Sequence, residues 1–355
     1  MRIAQISPLY ESVPPSSYGG TERVVSYLTE ELVRQGHDVT LFASADSTTS
    51  ARLIGCSPRS LRQSEGSIDT LAHHVLMLER VGRHAREFDV LHFHIDHLHF
   101  PFSRRAAWTT VTTLHGRLDI PDLRPLYDEF QDMPVVSISD DQRRPLPHAS
   151  WRGTVYHGLP HGLYTFNDRP KPYLAFVGRI SPEKRVDRAI EIAGRVGMPL
   201  RIAAKIDLAD REYFEDTIRP MFSLPYVEYL GEIGEHEKQE LLGNAAALLF
   251  PIDWSEPFGL VMIEAMACGT PVVAWRRGSV PEVLEDGLTG FLVESVEEAV
   301  AATQRAALLP RAQCRAVFEH RFTAERMARD YVSVYEQLAG TRSSVNKWTV
   351  ATQGA

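Results

Sequence analysis

The chain opens with a pattern that occurs again near its middle. Residues 2–6 (RIAQI) form a short apolar run, and a loop rich in Pro, Ser and Gly follows as far as Gly20. An amphipathic helical stretch then ends near Gly36, and a second apolar run begins at residue 37. A strand, a glycine-rich loop, a helix and a strand in this order form a βαβ unit, which predicts a parallel sheet.

The second copy of the pattern begins at residue 173, where YLAFV is followed by the turn GRISP and another amphipathic helix. A Gly- and Pro-rich stretch, 157–172, separates the copies and reads as a linker. A length of 355 residues also agrees with two domains. We therefore expect two doubly wound α/β domains followed by an amphipathic helix that crosses back to the first domain and a loose tail, over residues 1–165, 166–321, 322–340 and 341–355.

Charge and cysteine content exclude several classes of protein. The formal net charge is −8, from 38 basic and 46 acidic residues, which disfavours general binding to nucleic acid or to an anionic membrane. A phosphorylated small molecule would need a concentrated local anion site. The three cysteines form no CxxC pair, and the first residues lack the features of a signal peptide, so we expect a cytoplasmic protein. No GxGxxG or Walker A sequence is present.

Two glutamates separated by seven residues are the strongest chemical signal. Glu256 precedes Pro257 and Gly259, which break any helix before Leu260, and Glu264 falls in the second turn of the helix that follows. The N–H groups at the start of a helix suit a phosphate, and carboxylates suit the hydroxyls of a ribose and a sugar. The alternative is a pair of solvated glutamates at a helix end.

The segment EPFGLVMIEAMACGTPVVA, residues 256–274, closely resembles the E-x7-E signature of retaining glycosyltransferases of family 4, which have the GT-B fold. The similarity extends to residues 178–193, to 278–293 and to the Gly-Gly-Thr-Glu at 19–22, and it spans most of the chain. The resemblance implies two Rossmann-like domains that face each other across a cleft. The first would bind the acceptor, and the second would bind a nucleotide sugar.

The resemblance also implies roles for the residues of the signature. Glu264 would hold the ribose hydroxyls of the donor, and Glu256 would hold the hydroxyls of the transferred sugar. The backbone N–H groups of Phe258, Gly259 and Leu260 would contact the sugar or the phosphate.

Two basic residues follow the first strand of the second domain. By resemblance, Arg179 and Lys184 would bind the donor diphosphate, where negative charge develops as the glycosidic bond breaks. The alternative is a surface Arg and Lys that bound a turn. Two positions depart from the family pattern: Arg185 stands where Gly is usual, and Ser279 stands where a second Gly is frequent.

The first domain contributes two further features. Gly19 and Gly20 would let the backbone approach a ligand closely, unless they serve only a turn. His115 ends a strand-like run and matches the family histidine that faces the donor sugar, although a structural histidine is the alternative. The cluster LHFHIDHLHF, residues 91–100, suggests metal binding, but no HExxH or CxxC accompanies it, and we expect no metal site.

Together these features predict a retaining hexosyltransferase that uses a UDP- or GDP-linked sugar in glycan or glycoconjugate biosynthesis. The expected acceptor is a hydroxyl of a sugar, a lipid-linked molecule or a small molecule. We expect no obligatory cofactor or metal and no nucleic-acid partner, and weak peripheral contact with a membrane stays open. The alternatives are a sugar-nucleotide epimerase or a phosphorylase of the same fold, or a protein that binds nucleotide sugars without catalysis.

Overall fold

The structure, a computed structural model, describes residues 1–16, 19–64, 68–106 and 108–352, and it describes side chains as far as residue 340. The chain divides into two compact units. Unit 1 contains residues 1–138, 143–158 and those from 324 onward, and unit 2 contains residues 139–142 and 159–323.

Unit 1 is built on a parallel sheet of seven strands in the order β3-β2-β1-β4-β5-β6-β7. Its elements are β1 (Arg2–Ile6), α1 (Gly20–Arg34), β2 (Asp38–Ser44), β3 (Arg52–Ser57), α2 (Thr70–His84), β4 (Val90–Phe93), α3 (Phe100–Ala106), β5 (Thr110–Thr113), α4 (Leu123–Glu129), β6 (Pro134–Ser137) and β7 (Ser150–Thr154), with α12 (Ala324–Thr352) added from the end of the chain.

The strand order of unit 1 reverses between β1 and β4. Both strands are almost completely buried, as expected for the centre of a parallel sheet that helices cover on both faces. In open α/β sheets, ligands bind beyond the carboxyl ends of the strands at such a reversal. In unit 1 this edge carries the loop before α1 and the residues that follow β4 and β5.

The C-terminal helix α12 completes the core of unit 1. Met327, Ala328, Tyr331 and Tyr335 on this helix are all buried. The sequence predicted a helix over 322–340 and a loose tail over 341–355, but α12 continues to Thr352, and residues 353–355 lie outside the described part of the chain. Residues 341–352 contain neither Gly nor Pro, so no residue there breaks the helix.

Unit 2 is built on a parallel sheet of six strands in the order β10-β9-β8-β11-β12-β13. Its elements are β8 (Leu174–Arg179), α5 (Val186–Val196), β9 (Leu200–Lys205), α6 (Arg211–Tyr213), β10 (Val227–Gly231), α7 (Glu235–Asn244), β11 (Ala247–Phe250), α8 (Leu260–Ala267), β12 (Val272–Trp275), α9 (Val280–Val283), β13 (Gly290–Val293), α10 (Val296–Ala306) and α11 (Arg311–Arg321).

The order of strands in unit 2 reverses between β8 and β11. Arg179 is the last residue of β8, and the loop that contains Glu256 follows β11. The reversal therefore places the two main sequence motifs at the same edge of one sheet.

Apart from the short segment 139–142, the chain passes between the units at two places. It enters unit 2 between Gly158 and Leu159, inside the predicted linker of residues 157–172 and earlier than the expected boundary at 165. It returns to unit 1 at Ala324. Residues 139–142 also belong to unit 2, where the backbone N–H groups of Asp140 and Asp141 each donate to the carboxylate of Glu282 at 2.7 Å.

Candidate active site

The loop that precedes α8 is shaped by glycine. Gly259 caps the helix with φ +79°, in the left-handed region that favours glycine, and α8 begins at the next residue, Leu260. Such a turn directs the first N–H groups of the helix out of its end, where they favour an anion. The helix therefore begins at Leu260, as Pro257 and Gly259 predicted, and the contacts of Phe258, Gly259 and Leu260 with a ligand stay a prediction.

Glu256 lies in this loop and is almost buried, with 9% of its surface exposed. Its Oε2 accepts hydrogen bonds from Lys184 Nζ and from the indole Nε1 of Trp254, the latter at 3.1 Å. Lys184 Nζ also lies 5.0 Å from the centre of the Trp254 ring and 5.6 Å from that of Phe250. The structure therefore brings two of the predicted site residues, Lys184 and Glu256, into direct contact.

Glu264 has a separate cation. Only 4% of its surface is exposed, and its Oε1 accepts a hydrogen bond from Lys238 Nζ at 2.7 Å. Lys238 also pairs with Glu235 at 3.3 Å, one helical turn away on α7. No motif in the sequence marks Lys238, because the pattern EHEKQELL predicts a solvent-exposed lysine on a helix. Its partnership with a buried carboxylate emerges only when α7 packs beside α8.

Arg179 is surrounded by carboxylates. Its guanidinium lies 2.9 Å from Glu183, 3.3 Å from Asp207 and 3.8 Å from Asp210. Lys205, at the end of β9, also pairs with Asp207, at 3.0 Å. The sequence predicted a local positive site from Arg179 and Lys184; in the structure both cations are matched by acidic residues, so a bound anion would compete with carboxylates.

Arg185, which stands where the family usually has Gly, connects two loops of the site. Its backbone is left-handed, with φ +53°, and its guanidinium pairs with Asp187 at 2.8 Å and Asp253 at 3.1 Å. Asp253 also pairs with Arg188, and its backbone N–H donates to the Glu183 carbonyl at 2.8 Å. These contacts join the loop that carries Lys184 to the loop that carries Glu256.

Gly278 and Ser279 brace the Glu256 loop from the other side. A Cβ on Gly278 would lie 2.4 Å from the Glu256 nitrogen, so the backbones approach too closely for any side chain. Ser279 donates its N–H to the Glu256 carbonyl and its hydroxyl to the Phe258 carbonyl, both at 2.9 Å. The serine that replaces the second Gly of the family pattern therefore adds a hydrogen bond to the loop.

In unit 1, Gly19 and Gly20 lie at the start of α1. Gly19 has an extended backbone with φ 171°, so its conformation does not require glycine. The packing around Gly19 does require glycine, because a Cβ at this position would lie 2.8 Å from Pro15 Cβ. Residues 17 and 18, which precede this pair, are outside the described part of the chain.

His115 follows β5 and contacts two other histidines. Its Nε2 lies 2.9 Å from His94 Nδ1, and its ring stacks on that of His157 with 5.3 Å between the centroids. Burial lowers the pKa of His115 to about 3, so its ring is neutral near pH 7.

Two other histidines of the 91–100 cluster, His92 and His99, are engaged by neutral partners. His92 contacts the hydroxyls of Tyr335 and Thr113, both at 2.7 Å, and His99 contacts those of Ser103 and Thr112, at 2.9 and 2.7 Å. Among the described residues, no group of three or more His, Cys, Asp or Glu side chains is arranged to hold a metal ion.

None of the described helices combines the length and the apolar composition needed to cross a membrane.

Two family models match the chain. The model described as Glycosyl transferases group 1 matches residues 165–317, and the model described as Glycosyltransferase Family 4 matches residues 18–180. The first match includes every unit 2 residue of the candidate site, and the second includes Gly19, Gly20 and His115.

One curated relative aligns over nearly the whole chain. It is a phosphatidyl-myo-inositol mannosyltransferase of Mycobacterium leprae, 27% identical, and the alignment covers 97% of this chain and 99% of the relative.

Solved structures share the fold. A glycosyltransferase involved in avilamycin A biosynthesis, AviGT4, superposes with a TM-score of 0.75 at 22% identity, over 96% of this chain and 98% of that one. HepE of Anabaena, solved in complex with UDP and glucose, superposes with a TM-score of 0.70 at 20% identity, over 97% and 100% of the two chains. The family and the fold predicted from the sequence are confirmed. The chain belongs to the group 1 glycosyltransferases of the GT-B fold.

Proposed function

We propose that this glycosyltransferase moves a hexose from a UDP- or GDP-linked sugar to a hydroxyl acceptor, with retention of the anomeric configuration. The observation that carries the proposal is the pair of glutamates beside the N-terminus of α8. Each is buried, and each is held by its own lysine at the edge where the unit 2 sheet reverses. This arrangement provides carboxylates for two sets of hydroxyls and N–H groups for a phosphate between them.

We assign a role to each of five charged residues of the site. Glu264 accepts hydrogen bonds from the ribose hydroxyls, and Lys238 holds this carboxylate in place. Glu256 accepts hydrogen bonds from the hexose. Lys184 and Arg179 exchange their carboxylate partners for the diphosphate and stabilise its charge as the bond from the sugar to the phosphate breaks. The leaving phosphate oxygen takes the proton of the acceptor hydroxyl, so the reaction needs no separate general base.

The relatives support a hexose and a hydroxyl acceptor. The Mycobacterium leprae relative is named as a mannosyltransferase that acts on phosphatidyl-myo-inositol, which carries ring hydroxyls, and HepE is described with UDP and glucose. We propose the same class of donor for this chain, with the choice between uridine and guanosine left to experiment.

The first experiment is a thermal denaturation series with UDP, GDP and ADP and with their glucose, mannose and N-acetylglucosamine conjugates. A ligand at 100 times its dissociation constant adds about 2.7 kcal/mol to the free energy of unfolding. We expect UDP or GDP to raise the melting temperature of the wild type by several degrees and to leave that of Glu264→Ala unchanged. No shift with any of the three nucleotides or their nine conjugates would contradict the proposal.

An assay of sugar transfer then distinguishes the proposed transferase from the alternative activities. With the donor that binds, this enzyme should release free nucleotide only as sugar reaches an acceptor, and the new glycosidic bond should keep the anomeric configuration of the donor. An epimerase would convert the sugar while it stays attached to the nucleotide, and a phosphorylase would depend on inorganic phosphate. A protein that only binds would leave the donor intact with every acceptor.

Replacing Gly278 by alanine tests the geometry of the site without removing a functional group. We expect turnover to fall at least about tenfold, which corresponds to about 1.4 kcal/mol, because the new Cβ displaces the backbone of Glu256. Gly162→Ala is the matched control, since a Cβ at Gly162 meets no atom within 4 Å. Equal turnover in both variants would show that the position of the Glu256 loop does not limit catalysis.

A further inference from the structure

Gln5, near the end of the central strand β1, has a completely buried side chain that joins two hydrogen-bonded chains of unit 1. Its amide oxygen lies 2.8 Å from His94 Nε2, and its amide nitrogen donates to the hydroxyl of Tyr335 at 3.1 Å. His94 in turn contacts His115. A residue that no sequence motif marks is therefore two hydrogen bonds away from the predicted site histidine.

The direction of these hydrogen bonds follows from the chemistry of the amide. A carbonyl oxygen only accepts, so His94 Nε2 carries the proton that Gln5 accepts. A neutral imidazole has one N–H, so His94 Nδ1 is an acceptor, and the proton in the 2.9 Å contact belongs to His115 Nε2. His115 Nδ1 then bears a lone pair and no proton.

The second series of hydrogen bonds, which begins at the Gln5 amide nitrogen, is consistent with the same orientation of the Gln5 amide. Tyr335 accepts from the Gln5 amide, so its own proton goes to His92 Nδ1, and His92 Nε2 donates to Thr113. The Thr113 hydroxyl can then donate to Tyr331, at 2.8 Å. Tyr335, His92 and Thr113 each donate one hydrogen bond and accept one, and Tyr331 accepts the last, so the orientation of Gln5 leaves no conflict.

All three histidines of this network are neutral. Burial lowers the pKa of His92, His94 and His115 below the ordinary range for histidine, and the neighbouring histidines act in the same direction on His92 and His94. Neutral rings have a defined tautomer, and only neutral rings can transmit the orientation of Gln5.

We propose that Gln5 is a positioning residue which, through His94, holds His115 in the tautomer whose Nδ1 accepts a hydrogen bond from a hydroxyl of a bound sugar. The His115 ring is only partly buried, and its contact with His94 uses Nε2, so Nδ1 is the polar atom left for a ligand. An acceptor at this position recognises the hydrogen of a hydroxyl and disfavours a carbonyl or phosphate oxygen. The sugar ligand rests on the proposed function, whereas the tautomer does not.

The test is a long-range proton–nitrogen correlation spectrum of the full-length protein, free of ligand and labelled with 15N in its histidines. The His115 signals are assigned by comparison with His115→Asn. We expect His115 to carry its proton on Nε2 and not on Nδ1 between pH 6 and pH 8. A proton on Nδ1 would overturn the proposal.

Two variants then separate positioning from packing. In Gln5→Met, which lacks the amide, we expect the fraction of His115 protonated on Nδ1 to rise and kcat/KM for the nucleotide sugar to fall about tenfold. Tyr331→Phe removes the buried hydroxyl at the far end of the second series of hydrogen bonds and should leave both the His115 tautomer and kcat/KM unchanged. The signals of His99 should not move in either variant. If Gln5→Met leaves the His115 tautomer and kcat/KM at their wild-type values, Gln5 has no positioning role. If the Gln5→Met protein does not fold, the proposal is judged by which His115 nitrogen carries the proton in the wild-type spectrum.

The spectrum needs no substrate, so this inference and the proposed function fail separately. A His115 protonated on Nε2 in a protein that binds no nucleotide sugar would contradict only the proposed function. A His115 protonated on Nδ1 in a protein that transfers sugar would contradict only the role of Gln5.

Discussion

Lys184→Ala should lower the turnover of sugar transfer at least about 100-fold, the loss typical of removing one donor that stabilises a developing anion. The structure adds a second reason, because the change also leaves the buried carboxylate of Glu256 without its cation. That carboxylate would then repel the diphosphate that the lysine had attracted. The measurement is the initial rate of nucleotide release at saturating donor and acceptor.

Lys171→Ala is the control for this change. Lys171 is an exposed lysine of the same unit whose backbone N–H donates to the Asn244 carbonyl and whose carbonyl accepts from the Tyr173 N–H. Its replacement should leave turnover unchanged. A Lys184→Ala enzyme with near-normal turnover would remove Lys184 from the mechanism and leave its contact with Glu256 as a structural ion pair.

Glu264→Ala should weaken nucleotide binding roughly 100-fold or more. Hydrogen bonds to a charged group contribute about 1.5–3 kcal/mol each, and a ribose supplies two hydroxyls. The nucleotide without sugar is the appropriate ligand for calorimetry, because the prediction concerns the ribose. Glu240→Ala, on an exposed part of α7, is the matched control and should bind as the wild type does.

Glu256→Ala tests whether the two carboxylates bind different parts of the donor. Because Glu256 is assigned to the hexose, this variant should bind free UDP or GDP as well as the wild type does and should bind the nucleotide sugar more weakly. If Glu256→Ala weakened the free nucleotide and Glu264→Ala did not, the two carboxylates would have exchanged roles.

The sequence predicted the central strands of both sheets and the edge strand β10, VEYL at 227–230, and it missed the other three edge strands. Runs such as ALLF at 247–250 and VVAW at 272–275 are continuously apolar because both faces of a central parallel strand are buried. β3 and β7 are edge strands, include a glycine each and expose some residues, so they lack this pattern. β13, at the edge of the second sheet, has only four residues and begins with Gly290.

The candidate site was predicted where a local pattern carries it and missed where packing creates it. The E-x7-E spacing directly indicates two carboxylates around a helix N-terminus. Lys238 and Asp253 belong to no motif and gain their partners only from the approach of α7 to α8 and of one loop to another. Gln5 lies far along the chain from Tyr335 and from His94, and no spacing rule connects a residue on β1 with one that follows β4 and one on α12.

The return of the chain to unit 1 at Ala324 determines an order of events during synthesis. All the strands of unit 2 are synthesised before α12, whereas unit 1 still lacks the tyrosines of its buried hydrogen-bonded network. Domains fold as units once their residues are available. The domain that begins the chain should therefore be the last to reach its native state, and a released chain that ends before Ala324 should have a destabilised unit 1 and a folded unit 2.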